Sequence, residues 1–265
     1  MTLSPGPWVP PGAWLTAGYA EWQPPAPLRR SVACLWASVA PDGTDGEQLV
    51  LPDACSDLIW DQGAGAYLAG PDTGPVLSPA PAGRVIAGVR FRPGAGGQVL
   101  GIPLSELRDQ RVPLAEVLTG PAAELPAGLT PDAAAARLLD LAGRLVAAAD
   151  GDPVIDQAAA QLRDPAARTE EVAAQAGLSE RQLRRRCQAA AGYGPKTLQR
   201  VLRFQRFVRL ADAAPAGAGA PPLDLADAAL RAGYADQPHL SRECRALSGH
   251  TPAELARLRR PAPAA

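Results

Sequence analysis

The spacing L-x3-C-x4-G-x2-P-x2-L occurs twice in the chain, at Leu183, Cys187, Gly192, Pro195 and Leu198 and again at Leu240, Cys244, Gly249, Pro252 and Leu255. Upstream of each copy stands an Ala-x3-Gly, Ala173 to Gly177 and Ala229 to Gly233, with the turn that follows one residue longer in the second copy. Self-similarity at a fixed spacing marks a duplicated structural unit. Each copy reads as helix, short glycine turn, helix, the helix-turn-helix layout whose second helix enters a DNA major groove.

The turn chemistry around the repeat is consistent with that reading. Ser179 is placed to cap a helix from Glu180, with Gln182 completing a capping box, and Thr251 with Glu254 repeats the device before the last helix. Asp236 is the expected cap of the equivalent helix in the second unit. Helices are expected over 153–163, 169–176, 180–191, 195–211, 224–232, 236–248 and 252–259, with a Pro/Gly/Ala loop at 213–222. At about 100° per residue, Leu183, Cys187 and Ala190 fall on one side of the first recognition helix and Arg181, Arg184, Arg185 and Gln188 on the other. Guanidinium and amide groups are the donors that read guanine and adenine edges in the major groove. In the second unit Leu240, Cys244 and Leu247 face inward, while Ser241 and Arg242 face out, flanked by Gln237 and His239.

The joining helix 195–211 is roughly 25 Å long by its rise per residue. That length places two recognition helices near one turn of DNA apart, roughly 34 Å, in successive major grooves. Arg200, Arg203, Arg206 and Arg209 recur every third residue, a spacing that drifts around a helix, so only some of them can meet phosphate. Lys196, at the start of that helix, is the expected phosphate contact.

Charge divides the chain in the same way. The net charge of −1 combines −8 over residues 1–165 with +7 over residues 166–265. A basic part behind an acidic one is the outline of a nucleic-acid binder with a separate regulatory or assembly part. The boundary falls at Asp150-Gly151-Asp152-Pro153, where glycine ends one helix and proline opens the next. The division expected is a sensing or dimerising domain over 1–128, a connecting helix and linker over 129–152, and a double helix-turn-helix domain over 153–260.

The first part has a different grammar. Short apolar runs separated by Pro, Gly and Asp (GYAEW, VACLWASVA, EQLVLP, SDLIW, AYLAG, RVIAGVRF) read as strands, and the pattern turns helical after Pro93. A helix from Asp132 to Ala149, capped by Thr130 with Pro131 at its first position, carries Leu138, Leu141 and Leu145 on one face, either as core or as a helix-pairing surface. The overall class expected is α+β: a mainly β N-terminal part, a small barrel or sandwich of cupin-like type followed by helices, and an all-α C-terminal part.

The segments GLSERQLRRRCQAAAGYGPKTLQRVLRFQR and ALRAGYADQPHLSRECRALSGHTPAEL resemble the AraC/XylS family of transcriptional regulators, and the match spans residues 153–260. The resemblance implies that Arg181, Arg184 and Arg185 occupy the first set of base-reading positions and Gln237, His239 and Arg242 the second. Cys187 and Cys244 depart from the family by standing where an aromatic is usual, and the 213–222 loop is longer than typical. LPDACSDLIW and GVRFRPGAG are similar to the uncharacterised N-terminal domain of some of these regulators.

Other chemistry finds little footing. His239 and His250 are the two histidines, both in the basic part, so the metal sites of cupin enzymes lack their ligands. No nucleophile set, paired-carboxylate cleft or phosphate loop stands out, and neither catalysis nor a cofactor is expected. The four cysteines are widely spaced with no CxxC, which fits a reducing cytoplasm, and Cys34 and Cys55 are read as buried small hydrophobes rather than sensors. No apolar stretch is long enough to span a membrane. Five tryptophans at 8, 14, 22, 36 and 60 are either core or an aromatic ligand pocket, and Arg90 with Arg92 either hold an anionic effector or pair with Asp53 and Asp57. The function expected is sequence-specific regulation of transcription, under an unknown small molecule or by homodimerisation, with RNA polymerase as a further partner. The alternative is a ligand-binding or enzymatic N-terminal domain localised to DNA. Residues 153–265 alone are expected to bind duplex DNA, with log affinity falling against log salt by roughly 0.9 per phosphate neutralised; binding flat in salt would contradict this.

Overall fold

The computed structural model describes residues 18–41, 45–120, 124–215 and 223–259. Among these, eight strands precede most of the helix: β1 (Gly18–Trp22), β2 (Val32–Val39), β3 (Gly46–Val50), β4 (Ser56–Asp61), β5 (Gly65–Ala69), β6 (Val76–Ala80), β7 (Val85–Phe91) and β8 (Arg111–Pro113). Six form an antiparallel sheet in the order β1-β2-β7-β4-β5-β8, and β3 pairs with β6 as a separate ribbon. In place of a closed barrel, the described residues form an open sheet whose end strands are β1 and β8, with β3 and β6 as a separate pair. The strand β6 escapes the sequence pattern because Pro79 interrupts it, and β8 because its three residues contain a single large apolar side chain, Val112.

Alternation along the strands separates two faces. Leu35 and Ala37 of β2, Leu58 and Trp60 of β4, and Val85, Ala87, Val89 and Phe91 of β7 share one hydrophobic cluster. Helix α1 (Gly96–Leu100) lies between β7 and β8, the four-residue α2 (Leu114–Val117) follows β8, and α3 (Pro131–Ala148) closes this cluster with Ala134, Leu138, Leu141 and Ala142. Thr130 caps α3 by accepting from the Ala133 amide, with Pro131 in the first turn. The Leu138, Leu141 and Leu145 stripe is therefore core, with Leu145 partly buried at its margin.

The opposite face is polar and aromatic. Gly88 lies across from Trp36 in the β2–β7 register, and a Cβ there would run into the indole. The glycine lets Trp36 lie flat on the sheet. Its Nε1 donates to Asp57 at 2.6 Å, and Arg90 sits over the ring with its Nε 3.1 Å from Asp57 and 3.4 Å from Asp53. Burial holds the Asp57 carboxyl above its ordinary range against the opposing pull of Arg90. Arg90 thus pairs with Asp53 and Asp57, while Arg92 turns to the Arg29 carbonyl at 2.8 Å. Trp22 and Trp60 pack with the other face, in the hydrophobic cluster, whereas Trp36 lies on the polar face; Trp8 and Trp14 lie outside the described residues.

The remaining helices are α4 (Pro153–Gln161), α5 (Thr169–Gln175), α6 (Glu180–Ala191), α7 (Pro195–Asp212), α8 (Leu225–Ala232), α9 (Gln237–Ser248) and α10 (Pro252–Leu258). The 213–222 loop lies largely outside the described residues. These helices share a second cluster built on Leu183, Leu198, Val201, Phe204, Phe207, Leu240 and Leu255. Ala54, from the turn before β4, is buried in it with a left-handed φ of 64°. Leu138 is 1 % exposed between α3 and the sheet. Leu138→Ala is expected to cost about 2–5 kcal/mol in denaturant unfolding, with secondary structure retained.

Candidate nucleic-acid interface

The repeated residues build the same joint twice. Leu183 and Leu240 are fully buried, and Cys187 and Cys244 lie one turn further along the same faces of α6 and α9. Gly192 and Gly249 end those helices with φ of 77° and 75°, conformations that suit glycine. Pro195 and Pro252 then open α7 and α10, and Leu198 and Leu255 return to the core. The five-residue signature thus specifies core, stop, start and core. The Ser179–Gln182 and Thr251–Glu254 capping boxes both form, and Asp236 accepts from the His239 amide at 2.7 Å.

Between α5 and α6, Gly177 takes a φ of 65°, and between α8 and α9, Gly233 takes 93°. Each second helix is thereby presented with its polar face outward. Arg181, Arg184 and Arg185 are exposed on α6, and among the described residues none of them is in an ion pair. Gln188 is half-buried. Arg186, the next basic residue, turns to Asp152 at 3.0 Å instead. On α9, Gln237 and Arg242 are exposed and Ser241 is half-buried. His239, also half-buried, meets the Tyr234 ring edge-on with centroids 5.2 Å apart. Lys196 is exposed in the first turn of α7, where the N-cap residue Gly194 supplies no side-chain cap.

The α7 arginines are sorted by their surroundings. Arg200 pairs with Glu243 of α9, Arg203 lies over Tyr234 at 5.6 Å, and Arg206 donates to the Arg163 carbonyl. Arg209 is exposed.

The strand-rich part is docked on the first unit, a contact that the sequence does not announce. The Leu104 amide donates to the Ala189 carbonyl at 2.8 Å, Tyr193 donates its buried hydroxyl to the Asp72 carbonyl, and Gln205 donates to the Pro52 carbonyl at 2.7 Å. A Cβ at Gly97 would strike the Ala189 carbonyl, and one at Gly192 would strike Pro71. Arg30 reaches Asp156 at 2.7 Å, and Gln98 donates to the same carboxylate at 2.9 Å. Beside these contacts, Leu100, Ile102, Leu145, Ile155, Gln98 and Arg186 help to line a cleft of about 650 Å³. No group of three His, Cys, Asp or Glu side chains is placed to hold a metal among the described residues. Cys34 is buried with its thiol pushed up to about 12, and full burial raises Cys55 in the same direction. Thiolate chemistry is disfavoured at both.

Residues 172–258 match a family model described as a helix-turn-helix domain, and residues 20–113 match one described as a domain of unknown function, DUF6597. Among solved structures, a probable AraC family transcriptional regulator from Rhodopseudomonas palustris CGA009 is similar at 25% identity, covering 42% of this chain and 100% of that one, with a TM-score of 0.35. ToxT from Vibrio cholerae O395 is similar at 8% identity over 84% of this chain and 96% of its own, with a TM-score of 0.44. Unsaturated fatty acid bound ToxT from Vibrio cholerae strain SCE256 gives 9% identity, 85% and 95% coverage and a TM-score of 0.41. No curated protein matches the chain. A helix-turn-helix domain thus stands behind a DUF6597 domain in this chain.

Tyr193→Phe leaves the Asp72 carbonyl without its buried donor. The substitution is expected to lower stability by about 1–3 kcal/mol and to speed amide exchange at Leu104 and in the Asp72 loop, readable by denaturation and hydrogen exchange.

Proposed function

We propose that this protein recognises a specific duplex sequence with two helices set in successive major grooves, and that its N-terminal domain modulates that recognition without catalysis of its own. The observation that carries the reading is the sorting of arginines on α6 and around it. Arg186 and Arg200 are held in ion pairs, whereas Arg181, Arg184 and Arg185 stand exposed and unpaired among the described residues on one face. Exposed guanidiniums with free forks are the groups that bind guanine O6 and N7 in pairs. Gln188 supports the same face. On α9, Gln237, Ser241, His239 and Arg242 offer one guanidinium against three on α6, so the first unit dominates readout.

The cleft of about 650 Å³ supports control by a small molecule in the cytoplasm, since its volume lies in the range of ligand sites and its walls come from both parts of the chain. A ligand there would touch α6 through Arg186 and Ala189. Homodimerisation through the N-terminal domain is the other route by which that domain would act.

Site selection from randomised DNA, followed by titration of variants on matched and scrambled sites, tests the reading. Arg185→Ala is expected to cost about 1–3 kcal/mol at its preferred base and relax specificity there, with a smaller effect for Arg242→Ala. Lys196→Ala is expected to weaken all sequences alike and lower the salt slope by about one. A change of base preference with Arg242→Ala but not with Arg185→Ala would reverse the ranking of the two units.

A further inference from the structure

The structure assigns a phosphate-binding site to Arg163, Arg206 and Arg209, where the turn after α4 meets the outer face of α7. The assignment rests on the DNA-binding reading for its favoured ligand, a backbone phosphate of the bound duplex, but the same chemistry would accept a free phosphate.

Three observations place the site. Arg206 donates to the main-chain carbonyl of Arg163, which brings the α4 turn against α7, and Gln199 fastens the same turn by donating to the Ala167 carbonyl at 2.8 Å. Arg206 and Arg209 are three residues apart on α7, so their side chains share one face. The turn also lies directly against the second unit, because a Cβ at Gly233 would collide with Pro165. The cluster therefore lies on a turn that touches both α7 and the turn after α8 in the second unit.

The charge there is uncompensated. Among the described residues none of the three guanidiniums is in an ion pair, although nearby acids are plentiful. Asp164 spends an oxygen on the Ala166 amide at 2.9 Å, Asp212 pairs with Arg259 at 2.5 Å, and Glu170 and Glu171 face Arg168. Arg209 is drawn below the usual guanidinium range by partial burial and then by repulsion from Arg206 and Arg163, with no carboxylate offsetting them. Like charges gathered on a folded surface cost stability unless an anion joins them. Arg206 also serves the fold through its bond to the Arg163 carbonyl, so Arg163 and Arg209 are the pair to remove.

The test uses the full chain and the double variant Arg163→Gln with Arg209→Gln, beside Arg108→Gln as an exposed control in the N-terminal domain. Binding to a mixed-sequence duplex is measured across a salt series, and inorganic pyrophosphate is titrated into the protein without DNA. A salt slope shallower by about one in the double variant, unchanged in the control, identifies the operator backbone as the source of the phosphate. An unchanged slope with saturable pyrophosphate binding that the double variant loses supports the same site with a free phosphate as its ligand. An unchanged slope with pyrophosphate binding absent, or equal in both proteins, overturns the assignment. Failure of the wild-type chain to bind any duplex would overturn the DNA-binding reading instead, and the pyrophosphate titration would still decide this site.

Discussion

The carbonyl of Ala189 and the glycine three residues beyond it carry two duties, and the rest of the molecule is arranged around their coincidence. Helix α6 ends at Ala191 with Gly192 in the left-handed conformation, which turns the chain into α7 and so sets the distance between the two units. The same helix end receives the strand-rich domain, through the Leu104 amide, the Pro71 ring and the close face of Gly97. The helix proposed to read DNA is therefore the helix on which the N-terminal domain rests. Further contacts reach α4 at Asp156 and α7 at Gln205.

The helical part was legible because its information is local. Caps, glycine stops and proline starts act over three or four residues, and the repeat supplied each of them twice, so boundaries at Glu180–Ala191 and Gln237–Ser248 fall within a residue of expectation. The strand-rich part was less legible at β6 and β8, where Pro79 and a three-residue length hide the period of two. What the sequence withheld was the pairing between the strand-rich part and the helical part. Tyr193 with Asp72, Gln205 with Pro52 and Gly97 with Ala189 are separated by 90 positions or more, and no local pattern encodes such contacts.

The arginines make the same point for the candidate interface. Helical spacing separates Arg181, Arg184 and Arg185 from the core face, but it could not tell that Arg186 would be taken by Asp152 or Arg200 by Glu243. Charge count describes a surface on average, while the partners of each guanidinium decide which of them remains available to a ligand. In a chain with 26 basic residues, that sorting carries more functional information than the net charge of −1.

The two copies of the joint are no longer under equal constraint. Gly192 is required by its φ and also by the Pro71 ring that occupies the space of a side chain, whereas Gly249 has the same backbone conformation with open space around it. Asparagine tolerates the left-handed region better than other side chains do. An asparagine at Gly249 has room for its side chain, whereas at Gly192 it would strike the Pro71 ring. The two halves of the repeat thus differ in what a substitution would cost, a difference set by the Pro71 ring that fills the space at Gly192 alone.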